Sequence, residues 1–363
     1  MSRPVLNNIL VAPDKFKGSL SASGFCRIAE KVLHEVFPCA ETVCVPLADG
    51  GEGSLECFAA YSGARIINDV FTGPDGESVQ ARLALNGNTA FIEMSETAGL
   101  ALTKIRNPLF TTTYGVGEQI ARAVREGATR ILLAIGGSAT NDAGCGMAAA
   151  LGWRFEDAEG NSFVPVGGTL DLIHAIIPPT HLLNVEVVTL CDVTNPLFGK
   201  DGAAYVYAPQ KGASESDVAR LDRNLRRFND LCAAQGKDLS SVAGGGAAGG
   251  LGAGSIFFLG AKLQGGAETF FDFTDMRGKI DSADLIVTGE GKIDSQTLHG
   301  KTVGALYCAA LGKPFVAFCG KAEGDIPFDA VEVNDSSLTL EENIRLTPIH
   351  LENALRRFAE NFG

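Results

Sequence analysis

The sequence predicts an α/β protein whose parallel sheet is interrupted by an inserted antiparallel subdomain. Three observations predict it. Short apolar runs at residues 9–12, 42–47, 284–288 and 314–319 flank segments with helical spacing, and runs of that length read as strands of a buried parallel sheet. Between residues 65 and 94 the runs instead alternate and are broken by Gly73-Pro74-Asp75-Gly76 and Asn86-Gly87, the chemistry of antiparallel hairpins. Several of the predicted strands also end in glycines, acids and lysines, where open α/β sheets bind ligands.

Taken in order, Ile9-Leu10-Val11-Ala12 ends a first strand, stopped by Pro13. Phe25, Ile28, Val32, Leu33 and Val36 share one helical face, with Ser19 and Ser21 as candidate N-caps. Residues 42–47 form a second strand, completing a βαβ unit with a right-handed crossover. Gln80 to Leu85 and Thr89 to Met94 pair across Asn86-Gly87. Helices follow at 115–126, after Asn141 and at 214–231, where Ser214 and Asp217 make a capping box. Strands are expected at 130–135 and 185–191. After the run at 284–288 come a helix at 302–311, a strand at 314–319, and a last helix with Pro348 at its first position after Thr347.

At 363 residues the chain is long enough for two domains with substantial cores. A net charge of −13 argues against an extended nucleic-acid surface, while leaving room for a local basic pocket around a nucleotide. The nine cysteines are odd in number and include no C-x-x-C pair, which argues against a disulfide framework or zinc site and fits a reducing cytosol. No secretory signal precedes the first strand, and no apolar run reaches the ~20 residues of a membrane span. The expectation is a cytoplasmic protein with no nucleic-acid or membrane partner; a homo-oligomer is left open.

The candidate chemistry lies at strand ends. In Asp284-Leu285-Ile286-Val287-Thr288-Gly289-Glu290-Gly291-Lys292-Ile293-Asp294 an apolar run ends in two glycines around a carboxylate. Carboxylates there can hold Mg²⁺, and lysine offers charge to phosphate. Asp14, Lys15 and Lys17 in Pro13-Asp14-Lys15-Phe16-Lys17-Gly18-Ser19 could grip an anion, or simply form a solvated loop. Asp49 in Ala48-Asp49-Gly50-Gly51-Glu52-Gly53 stands at the end of the second strand. Gly136, Gly137, Ser138, Thr140 and Asn141 suit a phosphate cradle, or a tight strand–helix joint. Asp192 could bind Mg²⁺ or accept a proton, or form an Asx-turn before Pro196. Gly244-Gly245-Gly246-Ala247-Ala248-Gly249 has a dinucleotide fingerprint without its strand context, so a covering loop or a close helix contact is the better reading. Gly300-Lys301-Thr302 is not a P-loop, because Ser295 stands where the first glycine is required, yet Lys301 can still meet an anion. The five histidines show no ligand spacing.

Jointly, Ala12-Pro13-Asp14-Lys15-Phe16-Lys17-Gly18-Ser19, Ala48-Asp49-Gly50-Gly51-Glu52-Gly53, Ile135-Gly136-Gly137-Ser138-Ala139-Thr140-Asn141-Asp142, Cys191-Asp192-Val193, Asn195-Pro196-Leu197, Pro209-Gln210-Lys211-Gly212 and Thr288-Gly289-Glu290-Gly291 with Asp294, Gln296 and Thr297 resemble the bacterial type I glycerate kinase family. Their order and spacing span the chain from about Val5 to Phe358. The resemblance implies a Rossmann-like α/β domain built from both chain ends, residues 1–62 plus 280–363, with parts of 111–195 as a candidate addition. A second, mixed α/β domain with antiparallel hairpins occupies 63–279.

The resemblance further implies ATP-dependent phosphorylation of D-glycerate, at the 2-hydroxyl, with ATP and Mg²⁺ as cofactors. In that reading Asp192, Asp294 and Lys15 are the catalytic candidates, and Glu290, Asp192 and Asp294 the metal ligands. Asp14, Lys17, Asp49, Gln296 and Thr297 bind substrate; Gly136, Gly137, Ser138, Thr140, Asn141 and Lys301 bind nucleotide phosphates. The rival readings are a kinase for another small hydroxy acid or sugar acid, and a non-catalytic small-molecule-binding regulator.

Overall fold

In the computed structural model, which describes residues 6–16, 18–48, 50–295, 297 and 302–362, both ends of the chain contribute to one parallel sheet. Its strands are β1 (Asn8–Val11), β2 (Glu41–Cys44), β12 (Leu285–Ile293), β13 (Phe315–Ala322) and β14 (Asp329–Glu332), in the order β14-β13-β12-β1-β2. Every neighbouring pair is parallel, with Ile9 opposite Leu285 and Val11 opposite both Val287 and Cys44. Side chains alternate across the sheet. Ile9, Val11, Leu285, Val287 and Phe318 pack with Phe25, Leu33, Leu351 and Leu355 on one face. Leu10, Ala12, Ile286, Ala317 and Cys319 pack with Met276, Ile280 and Leu306 on the other. A sheet covered on both faces explains why its strands read as unbroken apolar runs.

This sheet belongs to a unit made of Met1–Asp49 and Ala267–Gly363; the other unit is Gly50–Gly266. The seams thus fall at 49/50 and 266/267 rather than at 62/63 and 279/280, and all of 111–195 lies in the second unit. The first displacement has a local cause. The helix Ser54–Ser62 belongs with the second unit because Phe58 stacks on Phe91 (5.0 Å between ring centroids), and the Gly53 and Leu55 N–H groups donate to the Glu93 carboxylate.

The second unit holds a mixed sheet. Its strands are β3 (Arg65–Thr72), β4 (Ser78–Asn86), β5 (Thr89–Glu93), β6 (Arg130–Ala134), β10 (Glu186–Leu190) and β11 (Lys262–Gln264), in the order β11-β10-β6-β5-β4-β3. The four strands from β11 to β5 run parallel, and β4 and β3 are antiparallel. A small antiparallel sheet of β7 (Arg154–Glu156), β8 (Ser162–Phe163) and β9 (Ala175–Ile177) is separate from it. In the β4–β5 hairpin Asn86 pairs with Thr89, so the two loop residues are Gly87 and Asn88. Gly87 takes φ +57°, a value a glycine adopts without strain.

Two further elements depart from expectation. The last helix runs Leu340–Asn361 and starts at a Thr339–Glu342 capping box, which places Pro348 inside it. The helix tolerates the proline because packing by Leu351, Ala354 and Leu355 fixes its course. The Leu285–Ile293 strand also continues through Gly289-Glu290-Gly291, pairing with β13 as far as Ala322. Glu290 and Lys292 therefore stand on the strand, not beyond it.

Candidate active site

In the first unit the polar residues gather at the ends of β1 and β12. The Asp14 N–H donates to the Gly289 carbonyl (2.8 Å). Its Oδ1 accepts the Lys15 N–H (2.6 Å) and its Oδ2 the Thr302 hydroxyl (2.6 Å). Asp14 thereby ties the loop after β1 to the first turn of the helix Thr302–Ala309. Lys15 is half-buried, and Phe16 packs on Phe25. Gly289 is required by packing: a Cβ there would lie 2.6 Å from the Phe318 carbonyl and 2.7 Å from the Phe25 ring.

Glu290 is buried within β12, whereas Lys292 is exposed and ion-paired to Asp294 (3.4 Å) and Glu323 (2.8 Å). Asp294 opens a turn in which Thr297 N–H donates to its carbonyl (3.0 Å), and its own N–H donates to the Thr297 hydroxyl (3.2 Å). Thr297 is fully buried, so its oxygen shapes this turn. Lys17, Asp49, Gln296 and Lys301, with His299, lie outside the described residues.

In the second unit the loop after β6 is the most densely built segment. Gly136 N–H donates to the Gly50 carbonyl (3.1 Å), and a Cβ at Gly136 would lie 2.6 Å from Gly51 Cα. Gly137 takes φ +76°; its carbonyl accepts from Leu100, and the Ala139 N–H donates to Ala98 (2.8 Å). Thr140, Asn141 and Asp142 are fully buried. Asp142 accepts the Thr113 N–H and hydroxyl (both 2.8 Å) and the Gly144 and Gly146 N–H groups (3.1 and 3.2 Å), while burial pushes its carboxyl above the usual carboxylate range. The glycine-rich stretch after residue 244 is the close helix contact: Cβ atoms at Gly249 and Gly254 would collide with the Thr140 and Ala143 carbonyls.

Sequence reasoning gave no role to Lys211, which sits on the single turn Pro209–Lys211. It is almost wholly buried, and its ammonium donates to Ser138 Oγ (2.8 Å) and to the Thr140 carbonyl (2.7 Å). Desolvation lowers it from the ordinary 10.5 to about 7, against the pull of Asp142. Its only sequence signal was the Pro209-Gln210-Lys211-Gly212 motif; nothing in the periodicity marked it as buried. Glu93 was missed as well. It is a buried acid at the end of β5 that accepts from Gly53, Leu55 and the Ser95 hydroxyl (2.6 Å), and burial raises its carboxyl.

Neither Thr140 Oγ1 nor either polar atom of the Asn141 amide has a hydrogen-bond partner among the described residues. Buried polar groups are paired in the large majority of cases, so three such atoms on the loop that holds the buried ammonium make it the candidate place for a polar ligand. Asp192, after β10, is exposed, and its Oδ1 accepts the Gly266 N–H (2.8 Å). Asn195 next to it is structural, donating to the Asp201 carbonyl (2.8 Å) and accepting from the Tyr207 hydroxyl (2.6 Å). Among the described residues no three His, Cys, Asp or Glu side chains form a preformed metal cage.

A parallel sheet with acids and lysine at its strand ends, and a mixed sheet whose glycine turn leads to a buried amide held beside the Lys211 ammonium's partners, fit an α/β enzyme for small anionic molecules. Residues 9–362 match the Glycerate kinase family. The chain is 43% identical over 329 residues to the "Glycerate 2-kinase" of Escherichia coli K12, covering 88% of this chain and 86% of that one. It is 40% identical over 376 residues to the "Glycerate kinase" of Bacillus cereus, covering 97% of each. A crystal structure from Salmonella typhimurium LT2, assigned to glycerate kinase 2, superposes with a TM-score of 0.86 at 39% identity, covering 98% of this chain and 97% of that one. The chain belongs to the glycerate kinase family. It is a kinase, a phosphotransferase acting on an alcohol group.

Proposed function

We propose that the protein transfers the γ-phosphoryl group of ATP to the 2-hydroxyl of D-glycerate, giving 2-phosphoglycerate and ADP. The observation that carries this reading is the similarity, over most of both chains, to an enzyme named for the 2-position. Phosphoryl transfer asks a protein to align attacking and leaving oxygens, neutralise phosphate charge and exclude water. Lys17, with Asp14, Asp49, Gln296 and Thr297, is proposed to hold substrate, and Gly136, Gly137 and Ser138, with Lys301, the phosphates. Asp192, Asp294 and Lys15 are the proposed catalytic residues, one of the two carboxylates taking the proton of the attacking hydroxyl.

Glu290, Asp192 and Asp294 are the proposed Mg²⁺ ligands. They offer only hard carboxylate oxygens, the donor type Mg²⁺ prefers, and Mg²⁺ commonly uses one or two carboxylates with phosphate oxygens rather than a full protein cage. Bound Mg²⁺ would supply neutralisation of phosphate charge. A cytoplasmic location is supported by nine free cysteines; among the described residues no helix is long and apolar enough to cross a membrane. ADP release with D-glycerate, followed by NMR of the product, tests the reading. Turnover to 2-phosphoglycerate is expected; no turnover with D-glycerate while another hydroxy acid is phosphorylated would overturn it.

A further inference from the structure

We infer that Lys211, Asn141 and Thr140 form the recognition site for the hydroxy-acid acceptor, with the ammonium facing its carboxylate and the Asn141 amide engaging a carboxylate oxygen and a hydroxyl together. The inference rests on the acceptor being a hydroxy acid and assigns that acceptor to named atoms.

The stoichiometry of donors and acceptors carries it. Lysine has three N–H donors, and Lys211 uses two of them, on Ser138 Oγ and the Thr140 carbonyl. One remains for a ligand oxygen. Asn141 presents two donors and an acceptor, none of them satisfied by the described residues, on a fully buried side chain. A fully ionised phosphate brings acceptors only, so it would leave the Asn141 Oδ1 without a donor. A hydroxy carboxylate brings both kinds of group: an oxyanion for Nδ2 and Nζ, and an O–H for Oδ1. Exchanging the oxygen and nitrogen of the amide changes nothing, since one donor and one acceptor are still demanded. The unpartnered Thr140 hydroxyl can serve either role.

Two other features agree. Burial makes the empty Lys211 easier to deprotonate, and an arriving anion compensates that desolvation. The loop is also held in place before any ligand arrives: Asp142 gathers four donors just beyond Asn141, and Gly249 packs against the Thr140 carbonyl so closely that no side chain fits between them. This moves Thr140 and Asn141 from the phosphate role expected from the sequence to the acceptor, while the glycine end of the loop, at Gly136 and Gly137, remains for phosphate, so the two ligand classes divide one segment between them.

Asn141→Leu is the sharpest test, because no described group bonds to the amide it removes and the fold is expected to persist. The KM for D-glycerate should rise about 10- to 100-fold, the loss of a hydrogen bond to a charged group, with the KM for ATP within about twofold of wild type. Lys211→Met adds a readout without turnover. D-glycerate alone should raise the melting midpoint of the wild-type protein and not that of this variant, whereas inorganic sulfate, a fully ionised anion with acceptors only, should leave the difference between the two proteins unmoved. A rise in the KM for ATP instead, or protection of the wild type but not of Lys211→Met by inorganic sulfate and not by D-glycerate, would overturn the inference. Normal D-glycerate kinetics in both variants would overturn it too, while leaving the proposed acceptor intact. If the wild type instead binds and phosphorylates a different hydroxy acid, and Asn141→Leu loses that acid, the proposed acceptor fails and the inference stands.

Discussion

The carboxyl-terminal ends of β12 and β6 look alike in sequence, each joining glycines to acids and hydroxyls, yet the structure partners their polar groups differently. At the end of β12 the exposed charges are matched to one another. Lys292 pairs with Asp294 and Glu323, Thr297 completes the Asp294 turn, and Gly289 makes room for aromatic rings. After β6 the polar groups are buried, and three side-chain atoms of Thr140 and Asn141 lack partners among the described residues. A glycine beside a carboxylate is thus ambiguous by itself. What differs between the two is whether the protein itself supplies the partners: it does for the Asp294 turn, and it does not for the Asn141 amide among the described residues.

The largest effects should come from the carboxylates of the two units. Of Asp192→Asn and Asp294→Asn, the variant that removes the proton acceptor should lower kcat by about 10²- to 10⁴-fold, and the other should chiefly raise the Mg²⁺ concentration needed for half-maximal rate. Steady-state kinetics across a Mg²⁺ series distinguish them, and a variant with normal kcat drops out of the chemical step. Next come the two lysines. Lys211→Met should reduce kcat/KM for D-glycerate by about 30-fold or more, as expected when one partner of a buried charged contact is truncated. Lys292→Met, whose ion pairs are solvent-exposed, should leave the melting midpoint unchanged. Equal damage from both would erase the contrast between the loops.

Gly289→Ala should destabilise by about 1–3 kcal/mol through overpacking against Phe25 and the Phe318 carbonyl, measured by urea unfolding. The smallest effect is a slope. Lys211 holds its proton below about 7 in the folded chain and up to about 10.5 in the unfolded one. Between those values the unfolded state binds more protons, so the residue makes stability rise with pH across that window. Below about 7 both states are protonated and its contribution is flat. Lys211→Met should remove that part of the slope, and an unchanged pH profile would place the folded lysine near its ordinary value.

Much of the fold was legible because it rests on local signals. The βαβ start, with Ser21 accepting from Gly24 (3.1 Å), and the Ser214–Asp217 capping box follow directly from spacing and cap chemistry. Elements set by tertiary packing were not. The helix through Pro348 defies the local breaker, β12 runs past a glycine pair because β13 continues beside it, and Ser54–Ser62 joins the second unit through Phe58 and Glu93. Of the candidate site, Asn141 and Thr140 could be named from a glycine-rich strand end. Lys211 could not: it reaches Ser138 and Thr140 from 73 and 71 residues away, and no periodicity reports that distance in sequence closing in space.

The most direct measurement is a calorimetric titration of D-glycerate into nucleotide-free wild-type protein and into Asn141→Leu. Saturable binding to the wild type, weakened at least about tenfold in the variant while both melt cooperatively, is the predicted result. Equal affinity in the two proteins would contradict the assignment of the buried amide to the acceptor.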